Sequence, residues 1–433
     1  MRAAAIFLLC LPLVAAAQDA DSNLKPPPDV AAAALEAYRF GLKLLDEYDR
    51  LKDRSTLDRA IEEFQKAERV AGKPFALATY CLGIALHRND DFREARRKLE
   101  RCLELNPAFH EAMSWLADTH ARLRSPDAAL KMYDRAIATK PLSAYHRGKG
   151  VVYLKTTDFA AALKCFDEAV KLDPNDASAA SYRKIAEREI AGPQFKQEYR
   201  RETAHFVIVS NVTQGFTDYI GRHIELITAK YQAVFPDGPK SRDKCRVILF
   251  EREQEYLDDG GPPRTAGYYH DLTKKLAFWE QKKNEDTLLV LYHETFHQYL
   301  ASFLDHAPEW FNEGLADYFA GAQVDEATRR VEIRPNRWRL GQVKSYKGLR
   351  RLMLMTRDEM YDPDERAENY AEAWAIVYFL VHGQGGKYQK LLLEYFRFLC
   401  KEEDRKGAFD AVFGKLDLKK MEDELRLFIG SLR

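Results

Sequence analysis

Apolar residues recur at helical spacing through the first half of the chain, and the helices repeat. Prolines at positions 74, 107, 141 and 174 are separated by 33 or 34 residues. Before each of the last three prolines, small residues stand 12 and 5 positions earlier and a large one stands 8 positions earlier, with Cys102 as one of the small ones. The positions are Ala95, Leu99 and Cys102, Ala129, Tyr133 and Ala136, and Ala162, Phe166 and Ala169. This pattern predicts pairs of helices that approach closely and stack on their neighbours.

From about residue 203 the pattern changes to alternating strands and helices. The β-branched runs "HFVIVSN" and "CRVILF" have strand length, and "FTDYIGRHIELITAKYQAVF" between them has helical periodicity. The segment "TAGYYHDLTKKLAFWE" predicts a hairpin or two short strands, and a helix follows at 286–304. We therefore expect a small mixed sheet packed against that helix.

The repeating half resembles tetratricopeptide repeats over residues 76–175. A looser copy precedes them, at Ala60, Phe64 and Ala67. The polyproline-type segment "NLKPPPDV" belongs to a predicted linker at 18–30, which leaves 31–190 as the repeat domain. The alternative is a nonrepetitive helical bundle. The resemblance implies an all-α solenoid whose concave groove binds a peptide or protein partner.

Composition and charge limit the classes of function. The chain has 433 residues, of which 46% are hydrophobic and 31% charged, so it is long enough for two or three packed domains. Lys plus Arg and Asp plus Glu both number 67, and this balance gives no basic footprint for nucleic acid. After the N-terminal segment no apolar run reaches the roughly 18 residues of a membrane span. We expect neither nucleic-acid binding nor a transmembrane segment.

The N-terminal segment "MRAAAIFLLCLPLVAAAQDA" has one basic residue, an apolar run and small residues at 15–17. This layout is typical of a secretory signal peptide, predicted at 1–17 with cleavage near Ala17. Lipidation at Cys10 is the alternative, but Leu11 follows that cysteine where a small residue is needed. The five cysteines after this segment are scattered and odd in number, which argues against a fold built on disulfides. We predict a secreted or periplasmic protein.

The predicted helix at 286–304 carries "LLVLYHETFHQYL", in which a glutamate directly follows the first of two histidines four residues apart. Burying two imidazoles and a carboxylate requires a partner for all three, and a metal ion would serve. His293 and His297 share one helix face, so both can bind one ion, while Glu294 lies beside it and can take a proton from water. Zinc suits imidazole ligands and activates water. The alternative is a pair of ordinary core histidines.

A second motif, "APEWFNEGLADYFAG", supplies carboxylates. Fifteen residues separate His297 from Glu313, which belongs to a helical segment predicted to begin near Pro308. Glu313 can therefore return to the two histidines as a third metal ligand. Asp317 is one turn further on the same face, where it can hold the N–H of a ligating histidine.

The two motifs together resemble the signature of gluzincin metallopeptidases, the thermolysin-like arrangement in which H-E-x-x-H is followed by N-E-x-x-x-D. The matching residues are His293, Glu294, His297, Glu313, Gly314 and Asp317. The resemblance covers about 203–400 and implies Zn2+ and a zincin-like peptidase domain, assigned to 200–433. The gap to the third ligand is a few residues shorter than in thermolysin, so the resemblance does not carry over peptide specificity.

Catalysis also requires a donor to the developing oxyanion. Tyr370 heads a predicted buried helix, and related peptidase-like domains carry a tyrosine at a similar place after the third ligand. Tyr268 or Tyr269 is the second choice, and an ordinary packed tyrosine is the alternative. The segment "LAFWE" before the motif helix resembles the edge strand on which gluzincins align an extended substrate. Its alternative is a plain core strand.

These observations predict an α+β chain, with an all-α tetratricopeptide solenoid followed by a mixed α/β zincin-like domain that has a helical C-terminal part. The predicted function is an exported zinc-dependent metallopeptidase in which Glu294 is the general base and the repeats bind a protein partner or substrate. One alternative is a non-catalytic repeat scaffold that carries a structural or vestigial zinc domain. Another is a hydrolase of non-peptide amides.

Overall fold

The chain divides into two compact units between Gly192 and Pro193. The computed structural model describes residues 29–51, 53–236, 244–304, 307–343, 347–402 and 405–432. The predicted signal peptide at 1–17 lies outside these residues, as does most of the predicted linker at 18–30. Within the described ranges, no helix combines the length and the apolar character that crossing a membrane requires.

The first unit is a succession of helices, each packed against the next one along the chain. They are Ala32–Leu51 (α1), Arg54–Val70 (α2), Ala76–Arg88 (α3), Phe92–Leu105 (α4), His110–Arg122 (α5), Pro126–Thr139 (α6), Ser143–Lys155 (α7), Phe159–Leu172 (α8) and Ala177–Ala191 (α9). The predicted repeats correspond to the pairs α3–α4, α5–α6 and α7–α8, and the looser copy corresponds to α1–α2. Helix α9 closes the series.

Close packing explains the spacing of small and large residues in this unit. All nine positions that the proline spacing picked out are fully buried. A Cβ added to Gly83 of α3 would lie 2.8 Å from Leu99 Cγ, and one added to Gly150 of α7 would lie 2.5 Å from Phe166 Cε1. The pairs α3–α4 and α7–α8 thus bring a glycine of the first helix against the large residue of the second. A side chain at either glycine would push the helices apart.

The second unit begins with a five-stranded sheet. Its strands are Tyr199–Glu202 (β1), Phe206–Ser210 (β2), Cys245–Phe250 (β3), Gly267–His270 (β4) and Lys275–Trp279 (β5), in the spatial order β1-β2-β3-β5-β4. Strands β2, β3 and β5 are parallel, and β1 and β4 are antiparallel edge strands. Helices Gln214–Val234 (α10) and Glu253–Asp258 (α11) connect the strands.

The expectation that "LAFWE" forms an edge strand is wrong. It lies in β5, between β3 and β4, and the edge strand next to it is β4. Leu276, Ala277 and Phe278 are all fully buried, because Leu276 and Phe278 belong to the large core and Ala277 to a smaller cluster that includes Tyr256. A continuous apolar run is typical of a strand covered on both faces, so the alternative of a plain core strand holds.

Helices and one hairpin follow the sheet. They are Asn284–Ala301 (α12), Glu309–Ala320 (α13), the strands Ala322–Asp325 (β6) and Arg330–Ile333 (β7), then Arg337–Gln342 (α14), Leu349–Met353 (α15), Arg357–Met360 (α16), Arg366–His382 (α17), a 3-10 turn at Gly383–Gly386, Gln389–Glu402 (α18), Arg405–Val412 (α19) and Leu418–Ser431 (α20). Helix α12 lies against β4 and β5, and α13 lies between α12 and α17. The large core of this unit joins Phe278 of β5, Phe296 of α12, Trp310 of α13 and Trp374 of α17. It therefore fixes α12 and α13 relative to the sheet.

Candidate metal centre

Two histidines of α12 point their Nε2 atoms at the same place. His293 and His297 are one helical turn apart, and their Nε2 atoms are 3.0 Å from each other. Leu291 and Phe296 of the same helix are buried in the core, so the face that carries the imidazoles has a fixed direction. The histidine face of α12 is therefore held open to one shared ligand position.

Glu313 reaches this position from α13. Its Oε2 atom is 3.6 Å from the Nε2 atom of His293 and 3.6 Å from that of His297. Among the described residues, this oxygen is buried without a hydrogen-bond partner. A buried acceptor left without a donor is costly, and a positive group between this oxygen and the two imidazole nitrogens would compensate it.

A different partner holds the outer nitrogen of each imidazole. His293 Nδ1 is 3.1 Å from Asp317 Oδ1, and His297 Nδ1 is 2.8 Å from Asn312 Oδ1. With Nδ1–H donated to these oxygens, the Nε2 lone pair of each ring faces the shared position. The contact of Asp317 is the one expected from sequence. Asn312 was not assigned a role, although it stands directly before Glu313 in the second motif.

The electrostatics of the cluster also favour a cation. Burial lowers the pKa of His293, but the carboxylates of Asp317 and Glu313 outweigh it and raise that pKa to about 10. Burial raises the pKa of Glu313, but the positive charges of His297 and His293 and the hydrogen bond from Tyr361 lower it to about 2. Both shifts come from the attraction between the carboxylates and the positively charged imidazoles.

These three residues fit a zinc ion. His293, His297 and Glu313 each offer one ligand atom to the cluster. Zinc bonds to nitrogen and oxygen of about 2.0–2.1 Å place tetrahedral ligand atoms about 3.3 Å apart, and the observed separations are 3.0 and 3.6 Å. Two imidazoles and one carboxylate also form a common ligand set of catalytic zinc sites, which keep a fourth position open.

Glu294 lies beside the cluster and is held from the sheet. Its Oε2 atom accepts a hydrogen bond of 2.9 Å from the backbone N–H of Tyr269 on the edge strand β4. Just before β4, the Trp279 N–H donates to the carbonyl of Ala266 at 3.2 Å, so Ala266 belongs to a hydrogen-bonded pair, and Tyr269, an odd number of residues further along, does not. The Tyr269 N–H therefore points away from the sheet, toward α12. Glu294 thus stands between the edge strand and the histidine face.

Two tyrosines approach Glu313 from the C-terminal helices. The Tyr361 hydroxyl donates to Glu313 Oε1 at 2.5 Å and is 3.1 Å from Glu309 Oε2. The centroid of the Tyr370 ring is 6.0 Å from that of Tyr361, and burial together with the charges of Glu313 and Asp317 raises the pKa of Tyr370. Tyr370 is therefore next to the cluster, whereas Tyr268 packs its ring against Tyr256, at 5.7 Å between centroids.

Three residues of the site had no assigned role in the sequence analysis. Asn312 stands inside the matched motif, so its position could have indicated a second partner for the histidines. Tyr361 and Arg339, which pairs with Asp317, come from the short helices α16 and α14. No spacing links these segments to the motifs, because the core of the second unit brings them together.

Comparisons with known protein families match separate segments of the chain. Residues 80–144 and 143–176 match two tetratricopeptide repeat families, which confirms the repeats. Residues 288–402 match a family described as "Protein of unknown function (DUF1570)". No curated protein matches the chain. The matched DUF1570 segment contains all three candidate ligands, and its description assigns no activity.

Solved structures similar to the chain include proteins that cover about a third of it. A crystal structure of MamA is 23% identical and covers 33% of this chain and 80% of that chain, with a TM-score of 0.30. YrrB, described as "a TPR protein with an unusual peptide-binding site", is 23% identical and covers 33% and 74%, with a TM-score of 0.29. MamA from Desulfovibrio magneticus RS-1 is 17% identical and covers 37% and 93%, with a TM-score of 0.32.

Proposed function

We propose that the second unit is a zinc-dependent peptidase of the gluzincin type. The observation that carries this proposal is the meeting of His293 Nε2, His297 Nε2 and Glu313 Oε2 within 3.0–3.6 Å of one another. Asp317 and Asn312 support it, because they direct both imidazoles inward. The intact Glu294 beside the cluster favours a catalytic site over a purely structural one.

Zinc bound by His293, His297 and Glu313 would polarise a carbonyl and lower the pKa of a water molecule in the open position. Glu294 is then the general base. Its carboxylate accepts a proton from the attacking water and returns the proton to the nitrogen of the leaving amine. The hydrogen bond from Tyr269 N–H fixes the carboxylate for this task, because it leaves the side chain one orientation between β4 and α12.

Tyr370 is our first choice for the donor to the oxyanion, and Tyr268 or Tyr269 is the second. The single hydroxyl proton of Tyr361 is directed at Glu313, so Tyr361 orients a ligand. Tyr370 lies next to Tyr361 and has no such bond to a ligand among the described contacts. A phenol in that position can donate when negative charge develops on the substrate oxygen.

The edge strand β4 is the place where an extended peptide would align. It pairs with β5 on one side only, and on the other side its Tyr269 N–H faces Glu294. A peptide added along this edge would form main-chain hydrogen bonds beside the base and the histidine face. The substrate-aligning role that was expected for "LAFWE" is therefore proposed for the neighbouring strand β4.

The tetratricopeptide repeats indicate a protein or peptide partner for the first unit. We propose that they hold a substrate or a protein that delivers one. The N-terminal segment supports export of the protein, because its basic, apolar and small-residue parts have the order of a signal peptide. The partner would then be an exported protein.

Hydrolysis of an unfolded protein and of a mixed peptide library, with and without a chelator, tests the proposal. We expect cleavage by the purified protein, its loss with the chelator and its return when zinc is added. A protein that holds zinc and cleaves neither substrate would favour the non-catalytic scaffold. Cleavage of small amides alone would favour the hydrolase of non-peptide amides.

A further inference from the structure

Arg339 forms a buried pair with the carboxylate that holds His293. Its Nε atom is 2.6 Å from Asp317 Oδ2, and its Nη2 atom is 3.2 Å from Asp317 Oδ1. The exposed fraction is 10% for the Arg339 side chain and 4% for that of Asp317. The guanidinium thus contacts both oxygens of the carboxylate and donates one hydrogen bond, from Nη2 to Oδ1, which limits the rotation of the carboxylate as well as its position.

Two aromatic rings and a side-chain hydrogen bond hold the Arg339 guanidinium group in place. It lies 4.3 Å from the ring centroid of Trp338 and 4.9 Å from that of Tyr370, and its Nη1 donates to Gln342 at 3.2 Å. The backbone N–H of Arg339 donates to the Asn336 side chain at 3.1 Å, which caps α14. The aromatic rings and the helix cap restrict the conformation of Arg339. Its guanidinium group therefore holds Asp317 in one position.

Asp317 Oδ1 contacts both Arg339 and His293. It is 3.2 Å from Arg339 Nη2 and 3.1 Å from His293 Nδ1. The carboxylate therefore transmits the position of the arginine to the imidazole.

We propose that Arg339 is a positioning residue that sets the orientation of His293 through Asp317. This inference rests on the proposed function, because it assumes that His293 binds zinc. It assigns a role to α14, which no motif in the sequence marks. It also couples His293 to Tyr370, since the Arg339 guanidinium contacts both Asp317, which holds His293, and the ring of Tyr370.

The test compares the full chain with Arg339→Met and Arg339→Lys. Zinc affinity is measured by competition with a chromophoric chelator, and the ligand field by the visible absorption of the cobalt(II) form. We expect Arg339→Met to weaken zinc binding by about 10- to 100-fold, as loss of such outer contacts does. Arg339→Lys keeps a charge without the planar fork, so its affinity should fall between the other two.

Lys275→Met is the matched control. Lys275 forms a buried pair with Asp259 at 2.8 Å, with exposed fractions of 5% and 9%. It alternates along β5 with Leu276, whose side chain joins the core on the α12 side, so Lys275 faces the other side of the sheet. Lys275→Met should therefore lower stability and leave zinc affinity and the cobalt spectrum unchanged.

Asp317→Asn completes a double-mutant cycle. Alone it should weaken zinc binding, and in the Arg339→Met background it should add little, because both changes break one chain of contacts. Additive effects, or an Arg339→Met protein with parental zinc affinity and cobalt spectrum, would overturn the proposal. Failure of hydrolysis with these binding effects intact would overturn only the peptidase function. A parent protein without zinc affinity would overturn both.

Discussion

Tyr361 and Tyr370 both approach Glu313 but make different contacts. Tyr361 donates directly to Glu313 Oε1, whereas Tyr370 lies beside Tyr361 and under Arg339. Tyr361→Phe removes the hydroxyl that donates to the buried Glu313 carboxylate, so we expect zinc affinity to fall by about tenfold or more. Tyr370→Phe should leave zinc affinity near that of the parent and lower kcat more than KM, since its bond would form mainly in the transition state.

Chelator competition and steady-state kinetics on both variants separate these roles. If both variants lose zinc affinity equally, both hydroxyl groups hold Glu313 in place and neither is the separate oxyanion donor. If Tyr370→Phe turns over like the parent, the oxyanion donor passes to Tyr268 or Tyr269.

A buried acid in the repeats gives stability a pH dependence that does not involve the metal centre. Burial raises the pKa of Asp118 to about 7, although the hydroxyl of Tyr133 donates to it. The folded chain therefore binds this proton more tightly than the unfolded chain, whose pKa is near 3.8. The stabilisation is complete below about pH 4 and is lost as pH rises to about 7, by roughly 4 kcal/mol at about 1.4 kcal/mol per unit.

Asp118→Asn tests this prediction. The amide oxygen still accepts from Tyr133, but the side chain stays neutral at every pH. Urea unfolding of the repeat unit between pH 4 and 8 should show a steeper loss of stability in the parent than in the variant. Parallel curves for the two proteins would contradict the assignment of the proton to Asp118.

At the scale of elements, a glycine allows α13 to reach its place. A Cβ added to Gly314 would lie 2.6 Å from the carbonyl oxygen of Ala373 in α17. Gly314→Ala should therefore move α13 away from α17, lower stability by about 1–3 kcal/mol and displace the neighbouring Glu313. Gly430 of α20 has no atom within 4 Å of such a Cβ, so Gly430→Ala should be neutral or stabilise by up to about 1 kcal/mol.

Chemical unfolding and zinc competition on the two variants measure these effects. A Gly314→Ala protein as stable as Gly430→Ala, with parental zinc affinity, would show that α13 tolerates the added methyl group. The metal centre would then not depend on this close helix contact.

The elements differ in how well the sequence predicted them. Proline spacing and the pattern of small and large residues predicted the helix pairs, and the repeat families confirm the repeats. This prediction was possible because each pair contacts mainly its neighbours along the chain. The order of strands is harder to predict, since it depends on contacts between distant segments, and the resemblance of "LAFWE" to a gluzincin edge strand did not give that order. Strand β1 was missed because "YRRE" has an exposed, charged pattern, which a protected edge strand also shows.

The same distinction holds for the candidate site. His293 and His297 share a helix, and Glu313 and Asp317 share the next one, so local periodicity predicted their common faces. The structure brings these four side chains together at 3.0–3.6 Å. Tyr361 and Arg339 approach from α16 and α14 only because the core folds those segments back, and no local pattern marks such contacts.

At the scale of the whole molecule, the two units should be separable. Each is compact, and the division falls between Gly192 and Pro193. A chain of residues 193–433 should fold and hold about one zinc ion, because the three candidate ligands and their partners all lie within it. It should lose the protein partner or the substrate preference that the repeats confer. Zinc content and circular dichroism of this fragment test the division, and an unfolded or zinc-free fragment would contradict it.

The most direct test of the account compares the parent protein with Glu294→Gln for zinc content and for hydrolysis of an unfolded protein. Glutamine keeps the size of the side chain but cannot accept the proton. Position 294 lies beside the proposed metal ligands and is not one of them. We predict parental zinc content and a fall in turnover of about a hundredfold or more. Parental turnover in a Glu294→Gln protein that retains its zinc would contradict the proposal that this site catalyses hydrolysis.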